Sequence, residues 1–597
     1  MKKALSLLVA LLMLVALFAG CSGGTNGSGA SEEASQSSQS GEESSSEESR
    51  EAGDAGYVNL DSDLPVVNEP ISMSIMVLAD AVSKEPEEMW FWQYYQEQTG
   101  IDFEFNAILS SDWNEKKQVL ITAGDYSDII WGCGFTNAEI LEYGTDSIFI
   151  PLNDLIYEYG DNIVAIYDEK DVWASITTPD GSIYSLGTAS LSNYYTGVIC
   201  TINEKWLENV GIERPTTIDE FYNALAAFMD GDANGDGNPA NEIPLSGHKD
   251  NLNGLRAMVL NMFGYSTDGS HIGIDGLTGD VVYIPLEARY KEYLTFMHRL
   301  YEEGLLDQDV YVQDETQFQA KTSASLVGCF NGVPQYNDPE NFMDYNEYAI
   351  AYDSQSEPVL YKNRGVNSGY FQITDTCEYP EAAMRFINLF YDPVYAFDIM
   401  YGPNIVEWPD GTLEYRAYNV TEDPGIGVHV LVDENGDYQK LRQPNWDDSE
   451  LTLWEYYAVD HPVPGCAFPI DDTYFLNQLF QGRAKDETEQ IAKYQAQVDA
   501  VEYNDITVAD HYWKIQNLTW CTEHIVYGYP NVFLNDEQQK FIDENDTILS
   551  DYISTMEAAF VTGDKDIEAE YDAFVQELKR LGAEELRQIY IDAYPAE

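Results

Sequence analysis

The chain predicts an α/β fold of more than one domain, on three observations. Apolar runs and helical patterns alternate from Ile71 to Trp131, the order that lays helices against a mostly parallel sheet. About 540 residues follow a polar N-terminal stretch, more than one domain's usual length. Apolar residues make up 44% of the sequence, enough to fill large cores.

The elements follow in order. Lys2 and Lys3 precede an apolar run from Ala4 to Ala19, then Gly20 and Cys21. A basic start, a short apolar core and small residues before a break form a secretory signal, too short to be a spanning helix. The cysteine after Ala19-Gly20 resembles the lipobox of bacterial lipoproteins, with Phe18 where that box usually has Leu. The resemblance implies cleavage before Cys21 and lipidation (palmitate) of its thiol, which anchors the chain to the outer face of the membrane. Residues 22–56 are Ser, Glu and Gly with almost no apolar side chain. Such a segment cannot bury enough surface to offset its ordering entropy and reads as a self-repelling tether.

The strand signals are Ile71 to Leu78, Ile101 to Ala107 and Ser127 to Trp131. The helices between them are Met89 to Gln98, ended by Thr99-Gly100, and Asp112 to Ala123, ended by Gly124. Farther on, Asn203 to Val210 reads as a short helix stopped by Gly211. Thr217 and Glu220 have capping-box spacing ahead of Phe221, Leu225 and Phe228 at helical spacing. The loop after that helix carries candidate metal chemistry. Asp232, Asn234 and Asp236 alternate with Ala233 and Gly235, and Gly237 allows a tight turn. Alternating oxygen donors followed by a downstream carboxylate suit a calcium ion's demand for oxygen ligands. Asn238, by its carbonyl, Asn241 and Glu242 complete the candidate set. Counted from Asp232 the glutamate falls at position 11, and from Asp230 at 13, so the loop is EF-hand-like but not an EF-hand, which needs 12. The bland alternative is a solvated Asp/Asn/Gly turn.

Composition excludes several functions. A net charge of −74 argues against nucleic acid and against direct binding to anionic lipid. Apart from Cys21, the cysteines (Cys133, Cys200, Cys329, Cys377, Cys466 and Cys521) are far apart with no CxxC pair, so metal clusters and redox motifs are not expected; buried free thiols are the plain reading, and one or two disulfides the alternative in an exported chain. There is no GxSxG, HExxH or phosphate loop. A secreted glycosidase or lyase is not excluded by counting carboxylates. An adhesin would show internal repeats, and none is present.

Motifs along the chain resemble the lipoprotein-type extracellular solute-binding proteins of ABC importers, in the branch of alginate- and oligosaccharide-binding proteins. NEKWLENVGI, PTTIDEF and the acidic loop before EIP are similar to that branch's helix, turn and calcium loop, with one extra residue here around Pro239-Ala240. QEQTGIDFEF and TAGDYSDII resemble its opening, Ser127 replacing a usual proline. RYKEYLTFMHRLYEEGLL, YPEAAMRFINLFYD and the final FVTG…LKRLG…IYIDAY resemble later segments. The matches run from about residue 70 to 595 in the family's order. The resemblance implies two α/β lobes joined by hinge crossovers, closing on a ligand between them, with an EF-hand-like structural calcium loop. The implied layout is a signal peptide at 1–20 and a lipidated Cys21 and linker at 21–56. Lobe one spans 57–190 plus about 372–470, and lobe two 191–371 plus about 471–597. The partners implied are two permease subunits and a cytoplasmic ATPase, with the binding protein a monomer that is not an enzyme.

The chain is rich in Tyr (43) and Trp (11). Aromatic rings stack on the C–H faces of sugars, while carboxylates and amides bind hydroxyls. Candidate ligand residues in loops after strands are Asp128, Trp131, Trp173, Tyr194, Tyr195, Trp408 and Trp454, although core packing competes for each tryptophan. The expected function is capture of an oligosaccharide outside the cell for an importer; a peptide or other small solute is the alternative ligand.

Overall fold

The computed structural model describes residues 56–594 apart from 171, 190–197, 199, 364–365, 393–394, 397, 400–401, 403, 416–427, 433–437, 443–458, 460 and 464–486. The expected signal sequence, Cys21, nearly all of the tether, Tyr194, Tyr195 and Trp454 lie outside the described residues. Among the described residues no helix is long and apolar enough to cross a membrane.

The first lobe is built on Ile71–Ala79, whose residues Ile75 to Leu78 alternate between cores on the two sides. That double burial is why the strand is apolar at consecutive positions rather than alternating. Ile101–Leu109 and Ile129–Trp131 flank it in parallel, with Ile75 opposite Phe105 and Ile129. Val366–Ile373 then pairs antiparallel beside Ile129–Trp131, and Leu186–Ala189 completes the five-stranded sheet. On one face the helices Trp90–Thr99 and Pro380–Leu389 bury Trp92, Phe386 and neighbouring Phe390 against Trp131. On the other, Trp113 of Ser110–Ala123 and Ile140 of Asn137–Thr145 pack on Met76, Leu78 and Ile130. Gly100 and Gly124 stop their helices at positive φ (79° and 72°), as the sequence predicts.

The second lobe centres on the sheet Tyr345–Tyr348, Cys200–Asn203, Val327–Asn331, Ile243–Leu245. Asn203 caps Glu204–Val210 by accepting from Trp206 N, and Gly211 ends it. Thr217 caps Ile218–Asp230, accepting from Glu220 N. The reciprocal half of the capping box differs from expectation. The Glu220 carboxylate accepts from Thr216 N and Oγ1, at 2.9 and 2.7 Å, instead of returning to Thr217. Within the segment RYKEYLTFMHRLYEEGLL the helix is Ala288–Glu302. It buries Tyr290, Tyr293, Leu294, Met297 and Leu300; Phe296 is half-buried, and Leu305 is buried beyond the helix end. The C-terminal helices Asp536–Thr562, Ile567–Arg580 and Ala583–Ala593 return to this core through Ile553, Phe560, Phe574 and Leu586. All five described cysteines are buried and free.

The chain passes from the first sheet to the second between Ala189 and Cys200 and back between Lys362 and Val366; a third passage, after Tyr527, touches the first lobe before the C-terminal helices return to the second. The parallel pair Leu360–Lys362 and Ile525–Tyr527 feeds the last two passages. The third is pinned to the first lobe. Asn137 Nδ2 donates to Asn531 Oδ1 and Val532 O at 3.0 and 2.9 Å. Asn531 Nδ2 donates to Ser368 Oγ at 3.0 Å, and Phe533 is buried with Trp113 and Phe135. Gly369 is required here: its φ is +80°, and an added Cβ would lie 2.2 Å from the Phe135 carbonyl.

Glu347 is fully buried between the second sheet and helix Ala509–Trp520. Its Oε2 accepts from Asn517 Nδ2 at 3.4 Å and from the Cys521 thiol at 3.5 Å. Burial pushes its pKa from 4.5 up to about 8, so the folded chain holds a proton that the unfolded chain releases above pH 4.5. The neutral form's stabilisation is complete below pH 4.5 and is lost as pH rises through about 8, at a limiting slope of about 1.4 kcal/mol per pH unit. Glu347→Gln is expected to flatten the fall of Tm over that interval; an unchanged profile would remove Glu347 as its source.

Candidate functional site

A cavity of about 690 Å³ lies between the lobes beside the hinge, inside the ~300–1,000 Å³ range of small-molecule sites. The first lobe supplies Phe135, Thr136, Asn137 and Ser368. The second supplies the Ser266–Ser270 turn and Gln539, Ile542, Asp543 and Tyr590 of the C-terminal helices. Between them come Tyr361, Asn363 and Tyr529 to Val532 of the passages. Phe135, Thr136 and Asn137 follow the carboxyl end of Ile129–Trp131, where open α/β sheets present their loops to ligands, and Ser368 comes from Val366–Ile373.

Local packing orients these groups. Tyr529 donates its hydroxyl to the Tyr590 carbonyl at 2.9 Å, and the two rings meet edge to face at 5.1 Å. Tyr361 covers Gly528, where an added Cβ would sit 2.1 Å from the ring. Burial and the nearby Asp268 carboxylate push the Tyr361 hydroxyl above the ordinary tyrosine range, so it remains a hydrogen-bond donor. Asp268 Oδ1 accepts from Ser270 N at 3.0 Å, and Thr267 Oγ1 donates to Ser270 O at 2.9 Å. A buried charge network holds this turn from below. Arg256 Nε donates to Glu557 Oε1 and Oε2 at 3.1 and 2.9 Å. Its Nη1 donates to Asn253 Oδ1 at 2.7 Å and to the Gly269 carbonyl at 3.1 Å. Tyr290 and Tyr293 add their hydroxyls to Glu557 at 3.0 and 3.1 Å.

Of the ligand residues expected from sequence, Trp131, Asp128, Trp173 and Trp408 lie away from this cavity, and Tyr194, Tyr195 and Trp454 lie outside the described residues. Trp131 is fully buried in the first core. Asp128 Oδ2 accepts from Ser74 N and Oγ at 2.8 and 3.0 Å, fastening two strands together. Trp173 donates to Asp168 at 2.8 Å and stacks on Tyr157 at 5.6 Å. Trp408, on the turn after Asn404–Glu407, donates to Glu414 at 3.0 Å. None of these four lines the cavity. Tyr361, Tyr529, Asp268 and Asp543, which line the cavity, are not singled out from the sequence. The break Gly528-Tyr529-Pro530-Asn531 was the local signal for the passage, and nothing local marks its tyrosine as facing a cavity.

The acidic loop folds on itself through Gly235 and Gly237, at φ of 74° and 87°. Asp232 accepts from Gly237 N with both oxygens at 3.2 and 3.1 Å, and Asn234 Oδ1 accepts from Asp236 N at 3.0 Å. Asn241 Nδ2 and Asn238 N donate to Asp236 at 2.8 and 2.7 Å and hold its carboxyl below the usual range. The Asn238 carbonyl accepts from Ala240 N at 2.7 Å. Glu242 points inward: Oε1 accepts from Ala233 N at 3.1 Å, while buried Oε2 has no hydrogen-bond partner. Among the described residues, no three His, Cys, Asp or Glu side chains converge into a metal-holding group. An orphaned buried carboxylate oxygen in an oxygen-rich loop nevertheless fits a hard cation, which would satisfy it.

The fold and cavity define a two-lobed binding protein. The bacterial extracellular solute-binding protein family matches residues 80–396, more than half of the chain, and the chain belongs to that family. It is 24% identical over 551 residues to the fructooligosaccharide ABC transporter substrate-binding protein FusA of Streptococcus pneumoniae, covering 89% of this chain and 92% of that one. Among solved structures it is similar to an HMO-binding, ABC-transporter-associated solute-binding protein of Bifidobacterium longum infantis, with TM-score 0.65, 18% identity and coverage of 88% and 99%. It is also similar to an EF-hand mutant of S. pneumoniae FusA in complex with fructo-nystose, with TM-score 0.58, 21% identity and coverage of 87% and 98%.

Proposed function

We propose that this chain captures an oligosaccharide outside the cell and presents it to the permease of an ABC importer, held to the membrane by lipid on Cys21. The inter-lobe cavity carries the reading. Tyr361 and Tyr529 offer rings to sugar faces, and Asn137, Asn363, Gln539 and Asp543 offer partners to sugar hydroxyls. Both lobes contribute, so a bound sugar favours the closed arrangement over the open one. The FusA relative, matched over nearly its whole length, supports the same class of ligand. Asp232, Asn234, Asp236, Asn241 and Glu242 would hold a calcium ion, which supplies charge neutralisation to the loop and no chemistry to the ligand; the EF-hand mutant among the similar structures supports that assignment.

The test is a thermal-shift screen of the full chain against oligosaccharides, peptides and small solutes. A ligand that binds only the folded state raises Tm with its concentration over Kd. An oligosaccharide hit without turnover is expected. Hits confined to peptides, or release of a shortened product, would overturn the reading. Tyr361→Ala is expected to weaken that sugar on the order of tenfold through lost ring contact, with little change in the unliganded Tm. An unchanged Kd would remove Tyr361 from the site.

A further inference from the structure

Building on the oligosaccharide reading of the cavity, we infer that the ligand is a neutral oligosaccharide, without uronate or sulfate groups. The charged side chains among the described lining residues are two carboxylates. Asp268 comes from the second-lobe turn and Asp543 from helix Asp536–Thr562. Both are exposed. Each has one oxygen engaged: Asp268 Oδ1 accepts from Ser270 N, and Asp543 Oδ1 from Gln539 Nε2 at 2.8 Å. A carboxylate has about four lone-pair sites, so both retain capacity for sugar hydroxyls. The other polar groups lining this space, such as Asn363 and Gln539, are uncharged.

A hydroxyl donates to an aspartate; a uronate repels it. One close like-charge contact in a partly desolvated cleft weakens binding on the order of a hundredfold or more. The whole chain adds to this, because 104 acidic side chains face 30 basic ones. Their summed field excludes polyanions from clefts and slows their approach. Tyr361 extends the same preference. Its hydroxyl stays protonated beside Asp268, a donor to a ring or hydroxyl oxygen. The cavity is thus built from acceptors and neutral donors, the complement of a polyol.

The experiment is calorimetric titration of the full chain with length-matched neutral and uronic oligosaccharides, fructo- and galacto-oligosaccharides against oligogalacturonates, at low and high salt. A neutral sugar is expected to bind with Kd changing by less than about threefold between the salts. The uronic series is expected to bind at least ~100-fold more weakly at low salt and to recover partly at high salt. Tighter binding of a uronic ligand would overturn neutrality and leave the receptor reading standing. Silence from both series would overturn the receptor reading, and neutrality with it. The double variant Asp268→Asn with Asp543→Asn, near-isosteric and on exposed side chains, serves as a second arm. It is expected to weaken the neutral sugar and narrow the gap to the uronic series, each by at least ~10-fold. An unchanged gap, with Tm retained, would show that these carboxylates do not set the preference and would overturn the inference.

Discussion

Glu557→Ala is expected to destabilise the chain by about 3–5 kcal/mol, the cost of leaving one member of a buried ion pair without its partner. The Arg256 and Glu557 side chains are each only 8% exposed. Burial alone would lower the Arg256 pKa, yet the Glu557 carboxylate together with Tyr293 and Tyr290 outweighs it and holds the guanidinium above its ordinary value. Removing the carboxylate strands that cation in the core and leaves the hydroxyls of Tyr290 and Tyr293 without this acceptor. Glu557→Gln keeps the shape and is expected to lose much of the same stability, because the lost charge rather than lost volume is the cause. Urea unfolding measures both. The consequence extends to the cavity, because Arg256 also holds the Gly269 carbonyl of the turn that carries Asp268. Ligand affinity is therefore expected to fall in Glu557→Gln even where that variant is fully folded. An unfolding midpoint equal to the wild type's would show that the network contributes no net stability.

The second large effect concerns calcium. With calcium at a hundredfold excess over Kd, the folded chain is expected to gain about 2.7 kcal/mol over the chain in chelator. Asp232→Ala with Asp236→Ala is expected to abolish that gain and to change the chelator-treated Tm much less. Their oxygens lie on exposed parts of the loop, so the double variant removes acceptors for Gly237 N and Asn238 N without opening a core cavity. Glu242→Gln separates the roles further: it keeps one acceptor for Ala233 N and removes the charge behind the orphaned oxygen. Equal melting of wild type and double variant under both conditions would reduce the loop to a turn.

Local rules sufficed wherever a few neighbouring residues decide the outcome. Gly100, Gly124 and Gly211 end helices as anticipated, because positive φ is a property of the residue itself. Thr217 caps as anticipated, whereas Asn203, read as the first residue of its helix, is that helix's cap, and Glu220 turns to Thr216, since two donors lie within reach and spacing does not choose between them. Trp131 shows where local reasoning stops. It lies at the end of a strand, a fair position for a ligand contact, yet the Trp92, Phe386 and Phe390 rings that enclose it come from segments far away in the chain.

From the sequence alone came the α/β class, the strand–helix order of the first lobe, the capped helices of the second, and an acidic loop with calcium-like spacing. Each rests on periodicity or chemistry within about a dozen residues. Tertiary structure decided which side chains face the space between the lobes. Val366–Ile373 enters the first sheet beside Ile129–Trp131, and the 528–535 passage is pinned between lobes by Asn137. Those two placements bring Tyr361, Tyr529, Asp268 and Asp543 around one cavity. Their sequence separations exceed any local pattern, so only the closure of the hinge segments against both cores brings them together.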